Sequence, residues 1–442
     1  MVTRQIAIAG LIALGALAAC AKREPILPGV REEIREDAGE EFGIVTNAQR
    51  TNQALPIRLA PVTANANWVQ RSGSPMTRVA HPALSAAPQR IWSASIGSGD
   101  GRKARITADP VVAGGRVFTL DSGATVAATS TGGQVLWTQN LVPPNDSGND
   151  ASGGGLAFGD GKLFVTSGFG MISALDPATG RVIWEQKLRG TGSGSPTVYD
   201  GLVYLVSADD EAWALDTDNG RIKWQLSAAP DANNILGGPA PAVSEKYAVF
   251  AFGAGELQGA FRKGGLRLWD AQVAGRRSGL SQSLVADVTG DPLIIGDRVY
   301  VGTHSGRLVA LKLGNGERIW TATEGPLSPV WPAGDALFLI SDRNELIRLN
   351  AEDGTRVWSQ KLPFFVKEKP RKKARIYAHY GPVLAGGQLV VASSDGNLRF
   401  YDPVSGALRR TVEIPGGATS NPVVAGRTLY VVSTNGQLHA FR

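Results

Sequence analysis

The chain has 442 residues, 43% of them hydrophobic and only 19% charged, with a formal net charge of +6 and a pI near 9.4. That much apolar material supports a large core and excludes a disordered chain, and the 55 glycines, with no long apolar run after residue 20, point to many short strands joined by tight turns. The mild basicity suits an anionic membrane surface or an acidic partner. It would suit nucleic acid in sign, but no helix-turn-helix, RNP-like or zinc-ligand pattern accompanies it.

The first residues are a targeting segment. Arg4, an apolar run from Ile6 to Leu17 and small residues at Ala18 and Ala19 read as a secretory signal over 1–19. The run is about 12 residues, too short to span a bilayer as a mature helix. Cys20 is the single cysteine, so no intrachain disulfide can form. Leu17-Ala18-Ala19-Cys20 resembles the lipobox of bacterial lipoproteins. The resemblance implies cleavage before Cys20 and acylation of its thiol and new amine, and several acyl chains make a stable anchor where one does not. Ala21 in place of Asp implies sorting to the outer membrane, facing the periplasm.

Residues 20–88 show no repeat and read as a lipid anchor with a mostly irregular tether. Arg31 to Glu41 alternates acids with arginine, as a short helix or a solvated tether would. Thr51 to Ala66 has the composition of a linker, and Trp68 is expected to dock on the folded body.

From residue 89 a unit recurs eight times. Its first half is a Pro or small residue, a short apolar run, a Gly-containing turn and an alternating strand, as in Asp109-Pro110-Val111-Val112-Ala113-Gly114-Gly115-Arg116-Val117-Phe118. Later copies begin at Gly155, Ser195, Ala240, Pro292, Pro329, Pro382 and Pro422. Its second half is a hairpin, clearest in Ala174-Leu175-Asp176-Pro177-Ala178-Thr179-Gly180-Arg181-Val182-Ile183-Trp184 and matched by Ala214 to Trp224. Asp or Asn favours the turn by bonding its own backbone; Gly supplies the positive φ that closes it. Weaker copies centre on Thr129, Asp270, Lys312, Asn350 and Asp402, giving turn spacings of 47, 40, 54, 42, 38 and 52 residues. Trp follows the turn acid or its substitute by eight residues at Trp137, Trp184, Trp224, Trp320 and Trp358. One Trp per unit is the pattern of a residue packing unit against unit.

Units of 40 to 50 residues with four short strands each are the arithmetic of a β-propeller. The last unit stops at Arg442 without its Trp strand, and an orphan Trp strand, Arg90-Ile91-Trp92-Ser93-Ala94, precedes the first. The expected fold is therefore all-β: one eight-bladed propeller of four-stranded antiparallel blades over 89–442, its ring closed by an N-terminal strand.

The Ala-Leu-Asp-x-x-Thr-Gly-x-x-x-Trp unit resembles the quinoprotein-type repeat of two families, the pyrroloquinoline-quinone dehydrogenases and BamB, the lipoprotein of the outer-membrane β-barrel assembly machinery. The lipoprotein signal, the compact ring and the absence of a cysteine pair favour the second. No catalytic residue, metal site or cofactor is expected. Asp109, Asp209, Asp210 and Asp291 read as scattered turn and rim acids, the four histidines (His81, His304, His379, His439) are far apart in sequence, and Gly192-Ser193-Gly194-Ser195 reads as blade architecture. The BamB resemblance implies a non-catalytic scaffold that binds the periplasmic POTRA domains of the barrel-inserting subunit BamA and other assembly subunits, and aids insertion of nascent outer-membrane proteins. The alternative is an envelope quinoprotein that binds pyrroloquinoline quinone, with or without dehydrogenase activity.

Two loops resemble the partner-contacting loops of that family, Asp231 to Ala242 and Leu284 to Pro292. Carried over by position, Ile235 and Leu236 supply an apolar anchor and Asp287 a charged one. Asn233, Leu236 and Thr289 depart from the family's pattern. Lys367 to Arg375 carries six positive charges and one negative, an exposed loop suited either to an anionic membrane or to plain solvation.

Overall fold

In the computed structural model, residues 51–442 are described except 193, 231–235, 274, 276, 278–284 and 286, together with the backbone pairing of 44–45. The strands form eight antiparallel sheets arranged as a propeller. Blades one to seven span 111–140, 154–187, 197–227, 242–272, 288–322, 331–361 and 379–413. The eighth combines Val423–Ala425, Thr428–Ser433 and Gln437–Phe441 with the N-terminal strand Arg90–Ser95. Trp92 pairs with Ala440 and Ser95 with Gln437, and Gln89 and Arg442 exchange backbone hydrogen bonds of 2.8 and 2.9 Å. The expected closure is what the chain adopts.

Burial follows from position in the blade. Strands sandwiched between neighbouring blades are apolar on both faces, as in Leu202–Ser207 and Ala336–Ile340. Outermost strands are wetted on one side, and Val182–Lys187 alternates half-buried with exposed residues.

The tryptophans lock one blade to the next. Trp184 in blade two donates its Nε1–H to the Thr217 carbonyl in the turn of blade three, at 3.0 Å. Its ring lies over Gly220, where a Cβ would come within 2.6 Å of Cε3. Gly220 has φ +71. The same contact recurs from Trp92 to Gly133, Trp137 to Gly180, Trp224 to Gly265, Trp269 to Gly316, Trp320 to Gly354 and Trp358 to Gly406. The turn glycine thus does two things: it takes the left-handed backbone and leaves room for the neighbour's indole.

Two irregularities of the repeat find their reasons here. In blade four the turn is not at Asp270, which lies in the outer strand Arg267–Gln272. The turn is 261–266: Phe261 N–H bonds the Leu266 carbonyl and Gly265 N–H the Phe261 carbonyl, and Trp269 is the locking indole. Blade seven has Arg410 where Trp would stand. In its neighbour, blade eight, the third strand Gln437–Phe441 and the fourth, Arg90–Ser95, are not consecutive, so no turn glycine lies between them to receive an indole.

Because strands alternate in direction, the connections between blades and the turns joining second to third strands share one end of the ring. We call this the open face. The first-to-second and third-to-fourth turns share the other.

That other end is closed by residues 51–88. The segment has almost no regular structure, yet it bonds to every blade in turn. Trp68 and Val112 exchange backbone hydrogen bonds of 2.8 Å in blade one, and Phe158 N–H donates to Val69 O in blade two. The Gln70 amide donates to and accepts from the Val198 backbone in blade three. Val243 N–H reaches Pro75 O, and Ile294 N–H reaches Met76 O, in blades four and five. Arg78 donates to Pro329 O at 2.9 Å beside blade six, Gly387 N–H to His81 Nε2 in blade seven, and Asn65 Nδ2 to Val424 O in blade eight. Inner strands otherwise present unpaired backbone edges to the channel, and this segment satisfies them. Trp68 is completely buried, 6.1 Å from the Trp331 ring at 28°. On the far side of blade five, Ile44–Val45 pair in parallel with Thr321 and Ala322.

Candidate partner-binding site

The connections predicted to contact a partner lie on the open face, entering blades four and five. Asn233 and Ile235 lie outside the described residues, as does the acylation candidate Cys20. Leu236 is described and is 48% exposed, although it is a large aliphatic side chain. It rests over Gly153 of the blade one-to-two connection, where a Cβ would meet its Cδ1 at 2.8 Å. Gly237, at φ +81, packs on Thr107, and its carbonyl accepts from Arg71 Nη1 at 3.4 Å. Leu236 is thus held out at the rim by contacts on both sides.

Thr289 is half-buried and donates its hydroxyl to Pro326 O at 2.7 Å, tying the start of blade five to the following connection. Leu236 and Thr289 share the wall of a cavity of about 350 Å³ that opens on this face at the ring axis. Asp287 is not in that wall. It is only 3% exposed, and its Oδ1 accepts from Ala254 N–H at 3.3 Å. It lines a separate small cleft of about 40 Å³ with Asp210, which accepts from Gly253 N–H at 2.8 Å. The structure therefore brings Leu236 and Thr289 together and sets Asp287 behind them.

The cavity floor is a charge cluster that does not read as a site in the sequence. Arg71, from the plugging segment, lies 3.2 Å from Asp291 and 3.6 Å from Asp109. Asp109 and Asp291 occupy the same repeat position, each just before a Pro, at the start of the first strand of blade one and within that of blade five. In a ring of eight these blades face each other, so one guanidinium reaches both acids across the channel. Asp109 also accepts from Asn421 N–H and Nδ2, and Asp291 from Ala240 N–H, which brings blades eight and four into the same network. Burial pushes the Asp291 carboxyl above its ordinary range, against the pull of Arg71. The two acids outweigh burial at Arg71, whose pKa is raised. Burial lowers Arg78 to about 10, and it stacks over Trp331 at 5.2 Å. Tyr380, in the cavity wall, is pushed up to about 12 by burial. The repeated Asp-Pro pair was the available signal for this cluster.

Two of the histidines serve the scaffold, while His304 lines the cavity. His379 bonds Ser393 and the Pro363 carbonyl, His439 bonds Ser433, and burial lowers the pKa of both. Ser195 is buried against Gly155, as a blade-packing residue would be.

The family model described as outer membrane protein assembly factor BamB matches residues 122–360 and 367–442. The chain belongs to the BamB family. Curated family members of that description are similar along most of their length. The protein of Shewanella oneidensis is 26% identical over 363 residues, covering 79% of this chain and 88% of the relative. That of Escherichia coli K12 is 23% identical over 358 residues, covering 80% and 88%. The crystal structure of BamB from Moraxella catarrhalis superposes with a TM-score of 0.66 at 17% identity, covering 80% of this chain and all of that one. A europium-containing methanol dehydrogenase shares the fold at a TM-score of 0.63 and 14% identity, covering 85% and 98%. The fold thus spans assembly factors and dehydrogenases, and the sequence family separates them. Residues 51–88, which plug one end of the channel, precede the matched segments.

Proposed function

We propose that this chain is a non-catalytic scaffold subunit of the outer-membrane protein assembly complex. In this reading it is held at the periplasmic face of the outer membrane by lipid on Cys20. Its open face binds the periplasmic POTRA domains of the barrel-inserting subunit, BamA, and it aids the insertion of nascent barrel proteins. The observation that carries the reading is the family match over 122–360 and 367–442, since the matched relatives are named as assembly factors.

The geometry supports a division of labour at the rim. Leu236, exposed and braced, is suited to be an apolar anchor that gains by desolvation on contact, together with Ile235, its neighbour in sequence. Thr289 fixes the neighbouring connection through Pro326. Asp287 works from behind the surface as a positioning residue, holding the turn at Ala254 against the entry to blade five. Because the channel is plugged at the opposite end, anything that enters the 350 Å³ cavity must do so from the same face.

The test is affinity purification of the tagged chain from gently solubilised envelopes, with partners identified by mass spectrometry. Recovery of the barrel-inserting subunit is expected. Its reproducible absence together with a quinone absorbance in the purified protein would overturn the scaffold reading in favour of a quinoprotein.

A further inference from the structure

Between blades six and seven the connection rises from the open face as a small hairpin. Phe365 bridges Ile376, Val366 N–H bonds Arg375 O at 2.9 Å and Tyr377 N–H bonds Phe364 O at 2.8 Å. Its base is fixed to the ring. Asn344 Nδ2 donates to Pro363 O at 3.2 Å and to Tyr377 O at 3.0 Å, and His379 Nε2 lies 2.7 Å from Pro363 O. The tip, 367–375, is exposed throughout and turns through a short 3-10 segment, Pro370–Lys372.

This tip concentrates charge without neutralising it. Of Lys367, Lys369, Arg371, Lys372, Lys373 and Arg375, only Lys373 has an acidic partner among the described residues, Glu368 at 3.5 Å. Elsewhere some exposed cations sit beside acids, as Lys312 does with Glu317 and Lys223 with Asp216. Apolar surface lies next to the charge: Ile376 is 47% exposed, and Lys373 covers the Phe365 ring at 4.8 Å, itself edge-on to Phe364. Four of the six cations are lysines, which are depleted at protein–protein interfaces, whereas clustered flexible cations beside apolar groups suit a diffuse anionic lipid surface.

We propose that the hairpin 364–377 is a contact for anionic lipid headgroups. It lies three blades round the ring from the connection bearing Leu236, so lipid and protein partner would meet the open face at separate places. The proposal does not rest on the scaffold reading.

The experiment uses the chain of residues 20–442 carrying Cys20→Ser, so that neither the apolar signal segment nor acylation contributes. It is sedimented with vesicles of phosphatidylcholine alone or with about one-third phosphatidylglycerol, at about 50 and about 300 mM salt. Each Lys or Arg is expected to add roughly fivefold to partitioning on the anionic vesicles. The variant Lys367→Gln/Lys369→Gln/Lys372→Gln/Lys373→Gln should therefore bind about 600-fold more weakly, with its melting transition unchanged because the tip is exposed. Binding of the parent should also fall at the higher salt. Equal partitioning of the parent onto neutral vesicles, or undiminished anionic binding by the folded variant, would overturn the proposal.

Discussion

Replacing Trp68 by Ala tests whether residues 51–88 belong to the folded ring or merely lie on it. The side chain is fully buried, and its backbone is paired in both directions with Val112. Burying a Trp removes up to about 250 Å² from water, a gross gain of roughly 6 kcal/mol at 25 cal/mol per Å². Against this stands the indole Nε1, buried without a hydrogen-bond partner among the described residues, which costs about 1–3 kcal/mol. The net loss on truncation is then about 3–5 kcal/mol, the range usual for a buried aromatic. Thermal and denaturant unfolding, followed together with limited proteolysis after residue 51, should show the W68A ring melting earlier as one unit. Trp68→Phe should lie much closer to the parent, because it keeps most of the packing and removes the orphan N–H. An unchanged transition in W68A, with the segment simply released to protease, would refute the argument that the plug and the ring fold together.

Gly220→Ala should cost about 2–5 kcal/mol, from the left-handed backbone and from a Cβ driven into the Trp184 ring. Gly201→Ala is the control: it has the same sign of φ (+78) but nothing within 4 Å of its Cβ, so only the backbone cost of roughly 1–2 kcal/mol should appear in denaturant titrations. Glu324 is 4% exposed, and burial raises its carboxyl to about 7. The folded chain therefore holds this proton where the unfolded chain releases it, and the contribution of Glu324 to stability falls as pH rises from about 4.5 to about 7. Glu324→Gln should remove that slope and raise stability above pH 7 by roughly 2–4 kcal/mol, read from unfolding midpoints at several pH values; a parallel pH profile in parent and variant would contradict the assignment.

The ring was legible in the sequence because each blade repeats one local solution. A turn acid caps its own backbone, a glycine takes positive φ, and a Trp eight residues on packs against the next glycine. Where Phe261 replaces the acid, the local signal vanishes while the geometry survives, since the backbone bonds of 261–266 and the Trp269 contact suffice. The plug was not legible for a different reason. Its partners are backbone groups in or beside the inner strands and scattered single anchors, Trp68, Arg71 and Arg78, which leave no period to read. Sequence alone gave Trp68 a docked position but not its neighbours. At the rim, resemblance pointed to two connections, yet it could not distinguish Leu236, which is held out, from Asp287, which is folded in to accept a backbone N–H. That difference depends on how the connections entering blades four and five pack, which no local pattern encodes.

Binding of the barrel-inserting subunit at the open-face rim is tested most directly by the affinity of the purified chain and its Leu236→Asp variant for the isolated POTRA domains. Leu236 is already exposed, so the variant should fold with an unchanged melting transition. A charge placed at a desolvated anchor should weaken binding by about tenfold or more. Undiminished affinity in the folded variant would contradict the assignment of this rim as the binding surface.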